Sequence, residues 1–202
     1  MRAVTVAAVV LAAGASRRLG RAKQLVEIGG ETLLERAVRV AVEARLAPAI
    51  VVVRDASVAG GLRGCDVVVR DPGVASILGG VEVVVNALAD EGMASSIRAG
   101  VARARELGVV GVVVMACDQV ALRAEHLRSL CGEVDRVTGS GYAGKVGIPA
   151  YFPAERFSEL MELRGDVGAR GLLRGAVVVV DESLGLDVDT ETDVERARGM
   201  LG

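Results

Sequence analysis

Four cations crowd one short stretch of the chain: Arg17, Arg18, Arg21 and Lys23 follow the run VVLAAG, with Gly14 at the turn. Cations behind a glycine-bearing turn suit phosphate. Gly14 permits a sharp turn or a close approach of backbone to ligand, and successive N–H groups in such a turn form an anion nest. Arg18 can grip phosphate oxygens as a planar fork, and Lys23 acts as a point charge. Taken alone, the loop reads equally well as a solvated, arginine-rich surface. A second place tips the balance. The run GVVVMAC ends in Asp118 and Gln119. A carboxylate there is either a cap for the next helix or a hard oxygen ligand for Mg²⁺, which typically takes one or two carboxylates plus substrate phosphates. A third place is GLDVDTETD, which carries Asp187 and Asp189. Alternate residues of an extended segment face one side, so both carboxylates can serve one site, although Asp189 or Thr190 is also a candidate helix cap.

The elements that must position these residues alternate along the chain. Residues 4–11 read as a buried strand, and Thr32 opens a helix with Glu35 three residues on as a capping box. Leu34, Ala37, Val38, Ala41 and Val42 recur at helical spacing behind it. Further apolar strands fall at 49–53, 81–85 and 111–116. Ser95 and Ser96 are candidate N-caps of a helix through Ile97, Val101 and Ala104. A helix follows around 124–130, then a looser glycine-rich region at 139–147, IPAYF, a helix near 157–163, a strand at 176–180 and a closing helix from about Thr192. Strands without polar alternation, separated by amphipathic helices, imply a mostly parallel α/β sheet covered on both faces. In such sheets ligands lie beyond the carboxyl ends of the strands, where the first loop and Asp118 are expected. Residues 54–80, rich in glycine, read as loops and an insertion.

Composition bounds the rest. A chain of 202 residues, about half of them apolar and a quarter charged, has the size and make-up of one globular domain spanning residues 1–202. A net charge of −2 supplies no field that would draw it to nucleic acid or an acidic membrane. Every long apolar run is interrupted by Asp or Glu before reaching spanning length, and the valine-rich N-terminus reads as a first strand and not a signal peptide. Three cysteines without metal spacing and a single His indicate reduced thiols in a cytoplasmic protein. His126 reads as a surface or capping residue, Cys117 as a small buried strand residue, and Met93 and Met115 as packing. The loop is neither G-x-x-x-x-G-K-[ST], since Lys23 follows Gly20 by three, nor G-x-G-x-x-G.

LAAGASRRLGRAK matches the L-A-A-G-x-S-x-R-x-G-x-x-K signature of the MobA-like nucleotidyltransferases, and the chain most resembles the molybdenum cofactor cytidylyltransferases (MocA) among them. The resemblance continues through EGMASSIRAG, MACDQ, EHLRSL, GIPAYF, GDVGAR and DVDTETD, nearly the whole chain in family order. It implies a doubly wound, Rossmann-like nucleotidyltransferase sheet and transfer of CMP from CTP to the phosphate of Mo-molybdopterin, with release of pyrophosphate. By matched position, Arg18 and Lys23 would hold the triphosphate, and Asp118 and Asp189 would hold Mg²⁺, with Asp187 adjacent. Leu11, Ala12, Ala13, Gly14 and Ser16 would line the nucleotide, Gly92 and Ser95 would meet base and ribose, and Gly147, Pro149, Asp166 and Arg170 would lie on the acceptor side. A molybdoenzyme receiving the cofactor is an implied partner. Ala13, in place of the glycine of guanylyl-transferring relatives, leans toward a pyrimidine. The chain departs from the subgroup at Leu19, Val120 and Glu191. Rival readings are a transferase with another base or phosphorylated acceptor and a nucleotide-binding accessory protein without turnover. A nicotinamide oxidoreductase is weaker, because the dinucleotide fingerprint and its ribose-binding acid are missing.

Overall fold

The structure is a computed structural model that describes residues 5–62, 67–70 and 80–201. Ten strands are β1 (Val6–Ala12), β2 (Glu27–Ile28), β3 (Glu31–Thr32), β4 (Ala49–Val53), β5 (Val67–Arg70), β6 (Val81–Val85), β7 (Gly111–Ala116), β8 (Thr138–Tyr142), β9 (Lys145–Pro153) and β10 (Val177–Val180). Five helices join them: α1 (Leu33–Glu43), α2 (Met93–Leu107), α3 (Ala124–Leu130), α4 (Phe157–Glu162) and α5 (Glu191–Leu201). Strands β2 and β3 form a small hairpin. The other eight make one sheet in the order β10-β8-β9-β7-β1-β4-β6-β5. Seven run the same way, and β9 alone is antiparallel to its neighbours β7 and β8.

Alternation of side chains across the pleat sends β1 into two cores. Ala8, Val10 and Ala12 join Leu34, Val38 and Ala41 of α1 and Leu127 and Leu130 of α3 on one face. Ala7 and Val9 meet Ile97, Val101 and Ala104 of α2 with Phe157 and Leu160 of α4 on the other. Helices therefore cover both faces, which is why the central strands carry no polar alternation. The capping box at α1 is present, with Glu35 N–H donating to Thr32 Oγ1 at 3.0 Å and Thr32 N–H to Glu35 Oε2 at 2.7 Å. Among the described residues, no helix is long and apolar enough to cross a membrane.

Four expectations change. Ser95 and Ser96 do not cap α2: the helix begins at Met93, with Gly92 as its N-cap, and both serines are buried in the first turn. The region 139–147 is not loose. It is the β8–β9 hairpin, whose turn residues Ala143 (φ 48°) and Gly144 (φ 68°) both take the left-handed conformation that matches strand twist. The valines of β10 are not buried on both faces, because β10 is an edge strand; Val178 and Val180 are exposed. His126 is buried, its Nε2 2.7 Å from Ser140 Oγ, and neither surface nor cap. Within 54–80, a 3₁₀ turn spans Ala56–Gly61 and β5 follows; the reading of residues 63–66 and 71–79 falls outside the described residues.

Candidate active site

Strand β1 lies between β4 and β7. The chain winds outward from β1 through β4 to β5 and β6, then returns to β7 on the opposite side. That reversal opens a crevice beyond the carboxyl ends of β1 and β7, and the loop 13–22 and Asp118 border it.

A third apolar cluster fixes the loop there. Leu19 from the loop packs with Val120, two residues beyond Asp118, and with Val188, Val194 and Ala197 of the C-terminal segment and α5. Two of the positions where the chain departs from its subgroup, Leu19 and Val120, thus meet in one contact region. Ser16 (φ 48°) closes the loop: its Oγ accepts from Lys23 N–H at 3.0 Å, and its carbonyl accepts from the N–H groups of Leu19 and Gly20 at 3.1 and 3.0 Å. The C-terminal segment is tied to β7's end by the 3.1 Å bond from Val188 N–H to Asp118 O and by the antiparallel bridge between Gln119 and Asp187.

With backbones so held, the charged groups meet. Lys23 Nζ donates to Asp118 Oδ2 and, at 3.0 Å, to Asp189 Oδ1. Arg18 Nη2 donates to Asp189 Oδ2 at 2.5 Å, and Arg21 pairs with Glu191 at 2.9 Å. The Lys23 and Asp118 side chains are only 17% and 11% exposed, so their interaction is far less screened than an exposed pair. Burial disfavours the Lys23 ammonium, but the charges and hydrogen bonds of Asp118 and Asp189 outweigh it and raise its pKa above the ordinary lysine value. Asp187 is partly accessible to solvent, yet desolvation by the surrounding protein and then the carboxylates of Asp118 and Asp189 push its pKa up to about 6. Burial pushes the Cys117 thiol up to about 12, so this neighbour of Asp118 is not a thiolate nucleophile.

A cleft of about 280 Å³ opens beside these residues, lined by Leu11, Ala12, Ala13, Gly14, Lys23, Gly92 and Asp118 among the expected set. Ser95 holds the turn together instead of lining the cleft. Its Oγ donates to Gly92 O at 2.8 Å and accepts from Asn86 Nδ2 at 2.8 Å, whereas Ser96 faces the cleft. Gly92 has φ 103°, and a Cβ there would lie 2.5 Å from Asp166 Oδ1 and from the Gly165 carbonyl carbon. That close approach seats the 165–170 loop on the turn before α2 and brings Asp166 to the cleft wall. Gly147 and Pro149 lie in β9; the Ile148 carbonyl between them accepts from Gln119 Nε2 at 3.0 Å and Tyr142 OH at 2.9 Å. Arg170 is exposed in the 3₁₀ turn Ala169–Leu173. Arg18, Ser16, Asp187, Asp189 and Arg170 are outside the cleft lining.

Sequence reasoning named Arg17 only among the loop's cations and overlooked Gln24, Arg54, Asp90 and Ser96 as lining residues; Met93, read as packing, is exposed and lines the cleft. Arg54 directly follows the last residue of β4, so the rule that ligands sit beyond strand ends could have found it. The Arg54–Asp90 ion pair (2.7 Å) spans two loops of that edge.

The donor set is compatible with a divalent cation. Two carboxylates, Asp118 and Asp189, already converge on one cationic centre, Lys23 Nζ, and carboxylate oxygens suit Mg²⁺ or Mn²⁺. No group of three or more His, Cys, Asp or Glu with metal-binding geometry occurs among the described residues, so a cation here would complete its shell with phosphate oxygens and water.

Cations ion-paired to two carboxylates at the switch point of a doubly wound sheet are an arrangement suited to binding a metal–polyphosphate. The chain belongs to the MobA-like NTP transferase family, whose domain model matches residues 8–182. It is 30% identical over 98% of both chains to the purine catabolism protein PucB of Bacillus subtilis. Among solved structures it resembles Rv0371c of Mycobacterium tuberculosis (31% identity, TM-score 0.78, 98% of this chain and 99% of that one), a protein also crystallised with manganese. It shares its fold with a nucleotidyl transferase of Methanothermobacter (24% identity, TM-score 0.78, 98% and 97% coverage).

Proposed function

We propose that the protein transfers CMP from CTP to the phosphate of Mo-molybdopterin, giving molybdopterin cytosine dinucleotide and pyrophosphate. The observation that carries this reading is the convergence of Lys23, Arg18, Asp118 and Asp189 at the β1/β7 crevice. In the reaction an oxygen of the acceptor phosphate forms a bond to the α-phosphorus of the triphosphate. The bond from that phosphorus to the bridging oxygen breaks, and its electron pair leaves on pyrophosphate. An ionised phosphate nucleophile needs no general base, so positioning and charge neutralisation are the chemistry the protein must supply.

Asp118 and Asp189 would hold Mg²⁺, with Asp187 beside them; the cation, when bound, would neutralise phosphate charge. Lys23 and Arg18 then exchange their carboxylate partners for triphosphate oxygens and stabilise charge growing on the leaving group. Leu11, Ala12, Ala13 and Gly14 let the nucleotide lie close to backbone. Ala13 in the cleft wall favours a pyrimidine. The acceptor approaches from the side of Gly147, Pro149, Asp166 and Arg170, and the product passes to a molybdoenzyme. The free thiols Cys117 and Cys131 suit a reducing cytoplasm.

The test is pyrophosphate release by the purified protein with Mg²⁺, Mo-molybdopterin and each of CTP, GTP, UTP and ATP. Release with CTP that requires the pterin is expected. Release with another nucleotide would overturn the base assignment and keep the transfer chemistry. Binding of nucleotides without release would favour another acceptor or an accessory role.

A further inference from the structure

Only two of the chain's 24 Lys and Arg residues are lysines, Lys23 and Lys145. Lys23 is at the centre of the site. Lys145 has no role in the transfer chemistry described above.

Its position follows from the one reversed strand. Parallel strands bring only their last residues to the ligand edge. Because β9 runs antiparallel to β7, with Val114 opposite Ala150 at the last paired position, its first residues return to that same edge. Lys145 is the first residue of β9 and pairs with Tyr142 across the hairpin. Its Nζ stands 5.4 Å from the centroid of the buried Tyr142 ring, a cation–π distance, so the ring limits where the ammonium can reach. Tyr142 OH is tied to Ile148 O, the carbonyl that also receives the Gln119 amide, and Gln119 is bridged to Asp187. Lys145 is thus linked through a continuous set of contacts to the far side of Asp118. Its charge acts on Asp187, and that of Arg170 acts on the Tyr142 hydroxyl. None of Lys145, Tyr142 and Arg170 belongs to the nucleotide cleft lining.

The charge balance of the two sides differs. Arg18, Arg21 and Lys23 are matched by carboxylates, and of the first loop's four cations Arg17 alone has no described carboxylate partner. Lys145 and Arg170 are exposed and make no ion pair with a described carboxylate. Two cations outside the nucleotide cleft, facing the single carboxylate of Asp187 on which Lys145 acts, leave a place for an anion other than the triphosphate.

We propose that Lys145, braced on Tyr142 and acting with Arg170, grips the phosphate monoester of the acceptor and positions its oxygen for attack on the α-phosphorus. The proposal rests on the transferase reading. A compact, flexible point charge suits a group that must be held and then released as a diester. The bond made and the bond broken are those of the transfer already described, and Lys145 gives and takes no proton.

Two lysines allow a direct experiment. Full-length protein labelled with ¹³C at the lysine Cε should give two side-chain NMR signals, assigned by losing one in Lys145→Arg. In the presence of Mg²⁺, a CTP analogue with a methylene between the α- and β-phosphorus should move the Lys23 signal. Inorganic phosphate added to that complex should then move the Lys145 signal and leave Lys23 in place, with the effect weakened in Arg170→Gln. Phosphate that moves only Lys23, or neither signal, overturns the proposal. In turnover, Lys145→Gln should raise KM for the acceptor about 10- to 100-fold, the size expected for one hydrogen bond to a charged group. KM for CTP should be unchanged, and Lys145→Arg should restore part of the loss. Turnover with an unaltered acceptor KM in Lys145→Gln would sink the proposal and leave the transferase reading intact. Phosphate perturbing Lys145 in a protein that transfers no nucleotide would do the reverse.

Discussion

The ammonium of Lys23 is hydrogen-bonded to the carboxylate of Asp118 across the crevice between β1 and β7. In the proposed transfer both groups would be needed elsewhere, the lysine on phosphate and the aspartate on metal. In this arrangement they satisfy each other. Metal and triphosphate should therefore bind synergistically, since each frees the partner that the other requires. Calorimetry should show Mn²⁺ binding weakly alone and much more tightly with a non-reactive CTP analogue, beyond the affinity of Mn²⁺ for the analogue itself. In Lys23→Met, Mn²⁺ should bind the free protein more tightly than in the wild type, while kcat/KM falls by about 10²- to 10³-fold, as for loss of one preorganised electrostatic donor.

Asp118→Asn should cost most of the rate, again about 10²- to 10³-fold, while nucleotide binding measured without metal should hold or improve as a competing carboxylate is removed. Rate measurements beside equilibrium binding separate the two effects. An accessory protein without turnover would instead tolerate the change.

Asp187 gives a pH signature. Its folded-state pKa, pushed up to about 6 by desolvation and by the charges of Asp118 and Asp189, exceeds the ordinary aspartate value near 4. Between those values the folded protein binds more protons at this group than the unfolded chain, so the group lowers stability as pH rises through the window. Above about pH 6 the cost is fully present, and below the unfolded value it vanishes. Urea denaturation of Asp187→Asn against wild type should show the variant more stable at pH 7.5 and the gap closing as pH falls toward 4.

Gly92→Ala should damage both halves of the site. The backbone at φ 103°, ψ −178° is in a region open to little but glycine, and a side chain there costs roughly 1–3 kcal/mol. The added Cβ also meets Asp166 and Gly165 at 2.5 Å, so the 165–170 loop must shift. The expected result is a lowered denaturation midpoint with raised KM for both nucleotide and acceptor; a change confined to the nucleotide would refute the coupling of the two loops.

Much of this arrangement was legible in the sequence for physical reasons. Arg18, Lys23, Asp118 and Asp189 all follow or precede apolar strands, and in a parallel sheet strand ends converge on one edge. What escaped was whatever depended on direction or on side-chain partners. Nothing in TGSGYAGKVGIPAYF announces that β9 reverses, because its glycines mimic a loop and the Ala143–Gly144 turn lacks the usual Asn or Asp. Ser95 has the residue type of a cap, but Gly92 starts the helix earlier and Asn86 claims the hydroxyl. His126 reads as a polar surface residue until the packing of α3 against β8 gives its ring Ser140 as a partner. Arg54 was hidden because a lone arginine after a strand has no signature of its own.

The reversed strand β9 has a consequence for how such a scaffold can diversify. The cleft at the switch point is lined by loops far apart in sequence, so no single replacement can redesign it. The residues at the tip of the β8–β9 hairpin are contiguous and solvent-facing, with Ala143, Gly144 and Lys145 all exposed. If Lys145 holds the acceptor as proposed, exchanging that tip would alter what the enzyme accepts while leaving what it donates untouched, and the hairpin would be a self-contained cassette for substrate choice.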